Sequence, residues 1–187
     1  MKHIKRKLTA VAVVAIVLAL LGQATIAYFS TVGRTTNVVT SGGVQLLIHE
    51  KTEGNATFPA EGVVILPGDV VKKEVTVESD CDHPFYLRVK LLYDVDDTTL
   101  TVADCFAPDI NTDDWEEHEG WYYYKKIVKP NRTTAELFSE VEMVGAKIDN
   151  SYIGKTLALT VVAQAVQSEN NPLTGGKVYT ASGWPQE

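Results

Sequence analysis

A run of alternating side chains, FYLRVKLLY at residues 85–93, constrains the fold more than any other feature of the sequence. The two alternating sets are Phe85, Leu87, Val89 and Leu91 on one side, and Tyr86, Arg88 and Lys90 on the other. A period of two predicts a β-strand, because successive side chains of a strand point to opposite faces of its sheet. The first set is uniformly apolar, so we expect it to face a core.

Five further segments have strand character: residues 44–50, 62–66, 70–78, 121–128 and 157–167. Turn residues separate them, including Pro67-Gly68, where Pro presets φ and Gly permits a positive φ. Short alternating segments bounded by turns predict a two-sheet antiparallel sandwich. Residues 135–144 fit a helix or a strand about equally well. The residues after Asn170 are rich in turn formers and predict a partly ordered tail.

The first residues have the pattern of a secretory signal. A basic stretch at residues 2–7 precedes an apolar run at residues 10–21, which is shorter than the hydrocarbon core of a bilayer requires. Thr25 and Ala27 then occupy the −3 and −1 positions of a cleavage site before Tyr28. An uncleaved N-terminal anchor is the alternative, since the small residues that follow could lengthen the apolar helix.

The charge of the processed chain limits its partners. Cleavage after Ala27 would remove four basic residues and no acidic ones, leaving 13 basic against 24 acidic residues and a formal charge of −11. An acidic chain has no electrostatic attraction to nucleic acid or to an anionic membrane, so we expect neither as a partner. Residues 28–187 are enough for one domain.

The chain has two cysteines, Cys81 and Cys105. An even number in an exported protein favours a disulfide, which would close a loop of about 25 residues and contribute about 3–4 kcal/mol. A pair of buried free thiols is the alternative, because spacing alone does not show whether the two Cα atoms approach each other.

Sequence patterns for catalysis or metal binding are incomplete. His49-Glu50 and His118-Glu119 begin like the HExxH motif of zinc proteases, but the second histidine is absent from both. The acidic stretch after residue 108 begins like a calcium loop, yet it lacks the Gly and the Glu that an EF-hand requires. The weak candidates for an irregular calcium site are Asp109, Asp113, Asp114 and Glu116. We therefore expect no enzyme activity, no catalytic residue, no cofactor and no resident metal.

An aromatic cluster lies within residues 115–124: Trp115, Trp121, Tyr122, Tyr123 and Tyr124. These rings could form a platform for a carbohydrate or a protein partner. The simpler interpretation is a strand in which Trp121 and Tyr123 fill the core while Tyr122 and Tyr124 lie on the outer face. We favour this second interpretation, because aromatic residues suit the pleated surface of a sheet.

The chain resembles the TasA/camelysin family of exported proteins of Gram-positive bacteria. The segments that carry the resemblance are, in order, GQATIAYFSTVGRTTNVVTSGGVQLLIHEK, LPGDVVKKEVTVES, FYLRVKL, DDWEEHEGWYYYKKIVKPNRTTAELFSEV and LALTVVAQAVQSEN. They span the chain from the basic first residues to about Asn170. The most specific parts are ATIAYFS and the WYYY segment with Leu137-Phe138 after it.

The resemblance implies an all-β fold: a two-sheet antiparallel sandwich of jelly-roll type with short helices or long loops in its connections. The chain then divides into a signal peptide (residues 1–27), an N-terminal donor-strand segment with a joint (28–43), the β-sandwich (44–170) and a C-terminal tail (171–187). A SipW-type signal peptidase is the implied processing enzyme, cutting between Ala27 and Tyr28.

The resemblance also implies a secreted structural protein that polymerises head-to-tail into fibres of the extracellular biofilm matrix or the cell surface. The freed N-terminal segment would act as a donor strand inserted into the next subunit. The candidate donor residues are Tyr28, Phe29, Thr31, Val32, Val38 and Val39. A second, minor fibre or anchor protein is a further expected partner. A donor role would explain why this β-prone segment has no hairpin partner beside it in the sequence.

Two other functions stay open. Some members of the family are described as cell-envelope metalloproteases, but this sequence lacks the HExxH motif that would support transferring that activity. A monomeric secreted binding module, whose N-terminal strand pairs with its own sheet, is the third candidate. The pair Cys81 and Cys105 has no place in the family pattern.

Overall fold

The computed structural model describes residues 27–29, 39–41, 44–169 and 171–185. The signal segment before Ala27 therefore lies outside the described residues, as does most of the predicted donor segment. The described strands are β1 (Ala27–Phe29), β2 (Val39–Ser41), β3 (Leu46–Lys51), β4 (Val63–Ile65), β5 (Val70–Lys72), β6 (Glu74–Ser79), β7 (Phe85–Val95), β8 (Phe106–Pro108), β9 (Trp115–His118), β10 (Trp121–Tyr124), β11 (Glu140–Met143) and β12 (Thr156–Gln167).

The only helical elements in these ranges are single turns of 3-10 helix: Glu53–Asn55, Ala103–Cys105, Gly145–Lys147, Asn150–Tyr152 and Val178–Thr180. The prediction of an all-β fold is confirmed. Residues 135–144 contain strand β11 and no helix, so the strand alternative is the correct one there.

The first sheet has the order β4-β1-β12-β7-β10-β9, and β2 also pairs with β12. Its centre is the antiparallel pair β7 and β12, which stay in register from Leu157 opposite Val95 to Gln167 opposite Phe85. Both strands are long and alternate in polarity, which favours this extended pairing. The pair forms the middle of the sheet.

The second layer is built from β3 with β6 and from β5 with β11 and β8. Backbone hydrogen bonds between β6 and residues 132–139 join these pieces, for example from Val75 N to Phe138 O (3.0 Å) and from Thr134 N to Val77 O (2.9 Å). The two sets of strands therefore form one antiparallel layer facing the first sheet, which is the arrangement of a β-sandwich.

The main core lies between the two layers. The apolar set of β7 (Phe85, Leu87, Val89 and Leu91) is buried there, as the alternation predicts. The first sheet also contributes Leu157, Leu159 and Val161 of β12 to this core. The opposite layer contributes Val75, Val77 and Val141. Trp115 is also part of this core, where its indole Nε1–H donates to Glu136 O (3.0 Å).

The side chains of strand β10 lie on the opposite faces of the sheet from those predicted. Tyr124 lies in the main core and Tyr122 packs against it, whereas Trp121 and Tyr123 are buried on the other face of the sheet. The register explains this, because Tyr122 is paired with the core residue Val89. Side chains paired across neighbouring strands share a face.

A C-terminal strap, residues 171–185, covers that other face. Its Val178 and Ala181 are buried against Tyr86, Trp121 and Tyr123, and Leu173, Tyr179 and Trp184 pack around them. The ion pair Lys177–Glu116 (2.7 Å) and the stacking of Tyr179 on His118 (4.0 Å between ring centroids) hold the strap to β9. The prediction of a partly ordered tail is wrong for these residues, since they form a second, smaller core.

Candidate functional site at the edge of strand β12

Strand β12 offers one of its two edges to the N-terminal part of the chain. Its sequence, TLALTVVAQAVQ, alternates so that Leu157, Leu159 and Val161 point into the core, followed by the small residues Ala163 and Ala165. One edge of the strand is occupied by β7 along eleven residue pairs. The opposite edge carries the open backbone N–H and C=O groups that any incoming strand can pair with.

Two short strands, β1 and β2, lie along this second edge. β1 pairs with β12 in parallel, with Tyr28 opposite Thr156 and Phe29 opposite Leu157. β2 pairs in parallel further along, from Val39 opposite Gln164 to Ser41 opposite Val166. Parallel pairing cannot be made by a tight hairpin, so these strands reach β12 only by a long-range connection.

The same strand β1 also pairs with β4 on its other side, in antiparallel register from Ala27 opposite Ile65 to Phe29 opposite Val63. Within the residues that the structure describes, β4 has no other strand partner. β1 therefore fills a gap between β4 and β12, two strands that do not pair with each other. We call this gap the strand slot; its walls are Val63–Ile65 and the start of β12.

The two N-terminal strands do not share one register. Tyr28 pairs with Thr156, an offset of 128 residues, whereas Val39 pairs with Gln164, an offset of 125. A single uninterrupted strand could keep only one of these registers. Residues 158–163 of β12 have no strand partner on this edge among the described parts of the chain. The edge is thus occupied at its two ends.

The predicted donor residues fall partly on this site. Tyr28 and Phe29 lie in β1 and Val39 lies in β2, while Thr31, Val32 and Val38 lie outside the described residues. Ala27, on the other side of the predicted cleavage point, is the first residue of β1. The residues on both sides of the predicted scissile bond, Ala27 and Tyr28, are therefore paired with β4. No pattern in the sequence pointed to β4 as the second wall of the slot.

The predicted disulfide is not formed, because Cys81 and Cys105 are both free thiols. Cys81 is half-buried, and its Sγ lies 3.3 Å from His83 O. Cys105 is buried in the main core near Tyr152, and burial raises the pKa of its thiol. The two residues occupy separate environments, so the alternative of free thiols describes the structure, although only Cys105 is fully buried.

The weak calcium candidates are directed to other partners. Asp109 accepts hydrogen bonds from Ser139 N (2.8 Å) and Glu140 N (2.7 Å). Asp114 pairs with Lys126 (2.5 Å), and Glu116 with Lys177 of the strap. Asp113 donates its backbone N–H to Asn111 Oδ1 (3.2 Å). Among the described residues, these carboxylates do not form a group that could hold a metal ion.

The two histidines of the incomplete zinc motifs also lie apart in the fold. His49 on β3 pairs with Glu78 of β6 (2.7 Å), and His118 on β9 stacks on Tyr179. Among the described residues, no three His, Cys, Asp or Glu side chains are grouped closely enough to hold a metal ion.

Comparison of the chain with protein-family models, with curated protein sequences and with solved structures found no match. Within the described ranges, no helix has the length and apolar character needed to cross a bilayer. The class that the fold and the site define is an all-β sandwich with an N-terminal strand seated in a slot between two strands of its own sheet.

Proposed function

We propose that this chain is an exported structural protein whose subunits polymerise head-to-tail, each inserting its N-terminal strand into the strand slot of the next. The observation that carries the proposal is the position of β1 between β4 and β12, which do not pair with each other. A slot of this kind accepts any strand with the right register, whether it comes from the same chain or from a neighbour.

Replacing a chain's own β1 by the β1 of a second chain keeps the same backbone pairs in the strand slot. The backbone pairs that β1 makes with Thr156, Leu157 and β4 in one chain can be made identically by β1 of a second chain. A contact between a donor on one side of a subunit and an acceptor on another is heterologous, and such contacts extend into filaments when they do not close into a ring. The resemblance to the TasA/camelysin family points to the same mode of assembly.

Processing of the leader would control when the strand can insert. The predicted scissile bond, Ala27–Tyr28, lies inside β1 and is paired on both sides. A peptidase needs an accessible, extended substrate, so cleavage must come before the strand is seated. The leader, a SipW-type peptidase and an extracellular matrix or cell-surface location belong to this proposal, as does a minor fibre or anchor protein that begins or ends the fibre.

The test uses the observed pairing of Tyr28 with Thr156. In a background with Cys81→Ser and Cys105→Ala, one mature protein carries Tyr28→Cys and a second carries Thr156→Cys. The two are mixed, left to assemble and oxidised. Insertion in trans gives a disulfide-linked dimer of the two different proteins, and fibres are visible by electron microscopy.

The matched control replaces Thr156→Cys by Thr98→Cys, at an exposed position outside the slot. It should give no more than background crosslinking with Tyr28→Cys. A chain carrying both Tyr28→Cys and Thr156→Cys, oxidised before assembly, should be locked as a monomer. If only the doubly substituted chain crosslinks, internally, and the mixture stays monomeric at high concentration, the strand belongs to its own subunit and the proposal is wrong.

A further inference from the structure

Strand β2 (Val39–Ser41) pairs with β12 separately from β1. Nine residues, 30–38, lie between the two short strands in the sequence, whereas only six positions of β12, residues 158–163, lie between the partners of the two strands. The chain therefore has three residues more than a strand that followed β12 step for step would use. With this surplus, β1 and β2 do not have to move as one unit.

The part of β12 that receives β2 is packed on both faces of the sheet. Its residues are Gln164 (5% exposed), Ala165 (0%) and Val166 (2%). Ala165 belongs to the main core and Val166 to the smaller core under the strap. Gln164 Oε1 accepts two hydrogen bonds from the guanidinium of Arg88 (2.6 and 2.9 Å). β2 thus lies along a finished part of the sheet.

The slot that receives β1 is more open. Val64 of β4, the partner of Tyr28, is 56% exposed. Thr156 of β12, the partner of Tyr28 on the other side, is half-buried. The outer face of the slot is therefore open to solvent, in contrast to the surroundings of β2.

The chain that joins β2 to the sandwich is short. Gly42 and Gly43 are the two residues between Ser41 and Val44, and Val44 is a core residue with 1% exposure. At about 3.8 Å per Cα step, the three steps from Ser41 to Val44 span at most about 11 Å. So short a tether keeps β2 at a high effective concentration beside its own β12. A neighbour's strand would replace three pairs by three others, which adds no pairs to outweigh that advantage.

We propose that β2 stays with its own subunit in the fibre and that only the chain before it is exchanged. This inference rests on the proposed polymerisation and sets the boundary of the exchanged segment. An incoming strand can pair with β12 as far as Ala163, because the receiving subunit's own β2 occupies the next position, Gln164. The connection between subunits then lies before β2, in place of the predicted joint that ends at Gly43. Val39, one of the predicted donor residues, remains in its own subunit.

The test fixes β2 to its own β12 by a disulfide. Thr40 pairs with Ala165, and neighbouring strands lie about 4.8 Å apart, within the Cα separation that a disulfide allows. In a background with Cys81→Ser and Cys105→Ala, a mature chain with Thr40→Cys and Ala165→Cys is oxidised as a monomer. Because β2 does not have to move, this chain should assemble to the same extent as its reduced form, measured by sedimentation and electron microscopy.

The matched control is the chain with Tyr28→Cys and Thr156→Cys, oxidised in the same way, which should not assemble because its own β1 is locked in the slot. A cysteine at position 165 adds volume to the core and could strain it. A second lock therefore joins Ser41→Cys to Val166→Cys on the other face of the sheet, and it should behave like the first. Separate chains with Thr40→Cys and with Ala165→Cys, when mixed, should not crosslink to each other.

Loss of assembly on oxidation of a β2 lock whose reduced form assembles would overturn the proposal. A crosslink between the two separate chains would overturn it as well. If the unlocked protein stays monomeric at high concentration, the proposed function fails instead. The position of β2 is then decided by the internal disulfide between residues 40 and 165: its formation supports a β2 held by its own subunit, and its absence contradicts one.

Discussion

Deleting residues 28–41 from the mature chain should leave the sandwich folded and lower its free energy of unfolding by less than about 3 kcal/mol, against the 5–15 kcal/mol typical of a domain. The physical reason is that β1 and β2 are strands of three residues each, with few backbone pairs, whereas the long strands β7 and β12 form the centre of the sheet. A strand that is to be exchanged between subunits must be held weakly enough to leave its own slot.

The magnitude follows from the pairing. In the proposed mature chain, which begins at Tyr28, β1 makes two residue pairs with β12 and two with β4, and β2 makes three with β12. With roughly one hydrogen bond per pair, at about 1 kcal/mol net each, the backbone pairing contributes about 7 kcal/mol. Ordering the five remaining residues of the two strands costs about 1–2 kcal/mol each, or roughly 5–10 kcal/mol in all. The two quantities nearly cancel, so the N-terminal strands are only marginally bound in the single chain.

The assay is urea denaturation of both proteins, followed by tryptophan fluorescence, together with hydrogen exchange of the intact protein. The backbone amides of β1 and β2 should exchange far faster than those of β7 and β12, through local opening. A synthetic peptide of residues 28–41 should raise the stability of the deleted protein in a concentration-dependent way, while a peptide of scrambled order should not. A loss above about 5 kcal/mol, or no rescue by the peptide, would refute the reasoning.

Three further predictions concern ionisable groups. Lys73 is fully buried with its Nζ 3.0 Å from Glu50, whose side chain is 17% exposed. Glu50→Gln should cost about 3–5 kcal/mol in urea denaturation, because it leaves a buried ammonium without this carboxylate. Lys73→Met should cost clearly less, because the carboxylate that it leaves behind can still reach water. Burial raises the pKa of Tyr93 to about 12. Its stabilising effect is therefore present below pH 10 and lost as the pH rises through 12, and Tyr93→Phe should flatten that decline in alkaline denaturation. The hydrogen bond from Lys155 lowers the pKa of Asp97, so stability should fall as the pH drops below the ordinary Asp range, and Lys155→Met should raise the Asp97 pKa in an NMR titration.

The alternation in residues 85–93 was enough to predict both a strand and its faces, because only one face of that strand meets the main core. The aromatic strand β10 shows the limit of the same method. Four aromatic residues in a row have no alternation in polarity, so their orientation depends on pairing with β7, where Tyr122 meets Val89. The outer face of β10 is then buried as well, by a strap whose turn-rich sequence predicts partial order.

Long-range pairing explains what else the sequence could not predict. The number of cysteines and the expected compartment predict a disulfide between Cys81 and Cys105, but they contain no information about the surroundings of either thiol, and both thiols are free. The composition of the N-terminal segment predicts a strand, yet nothing in residues 62–66 indicates that β4 forms the far wall of its slot. Local periodicity predicts secondary structure. Which strand pairs with which depends on residues that are distant in the sequence, so local patterns do not predict it.

The register difference between β1 and β2 bears on how a neighbour's strand could displace the chain's own. A tethered strand has the advantage of a high effective concentration at its own slot, so a competing strand must make additional contacts to replace it. Relative to the described pairs, such contacts exist: the two short strands follow registers that differ by three residues, and residues 158–163 of β12 have no strand partner on that edge among the described residues. A donor that runs uninterrupted along β12 in one register would add pairs at these six positions. The free energy gained, at about 1 kcal/mol per added hydrogen bond, minus the entropic cost of ordering the donor strand, has to exceed the free-energy advantage of the tethered strand. Assembly should therefore depend steeply on protein concentration and respond strongly to substitutions that weaken pairing along residues 158–163.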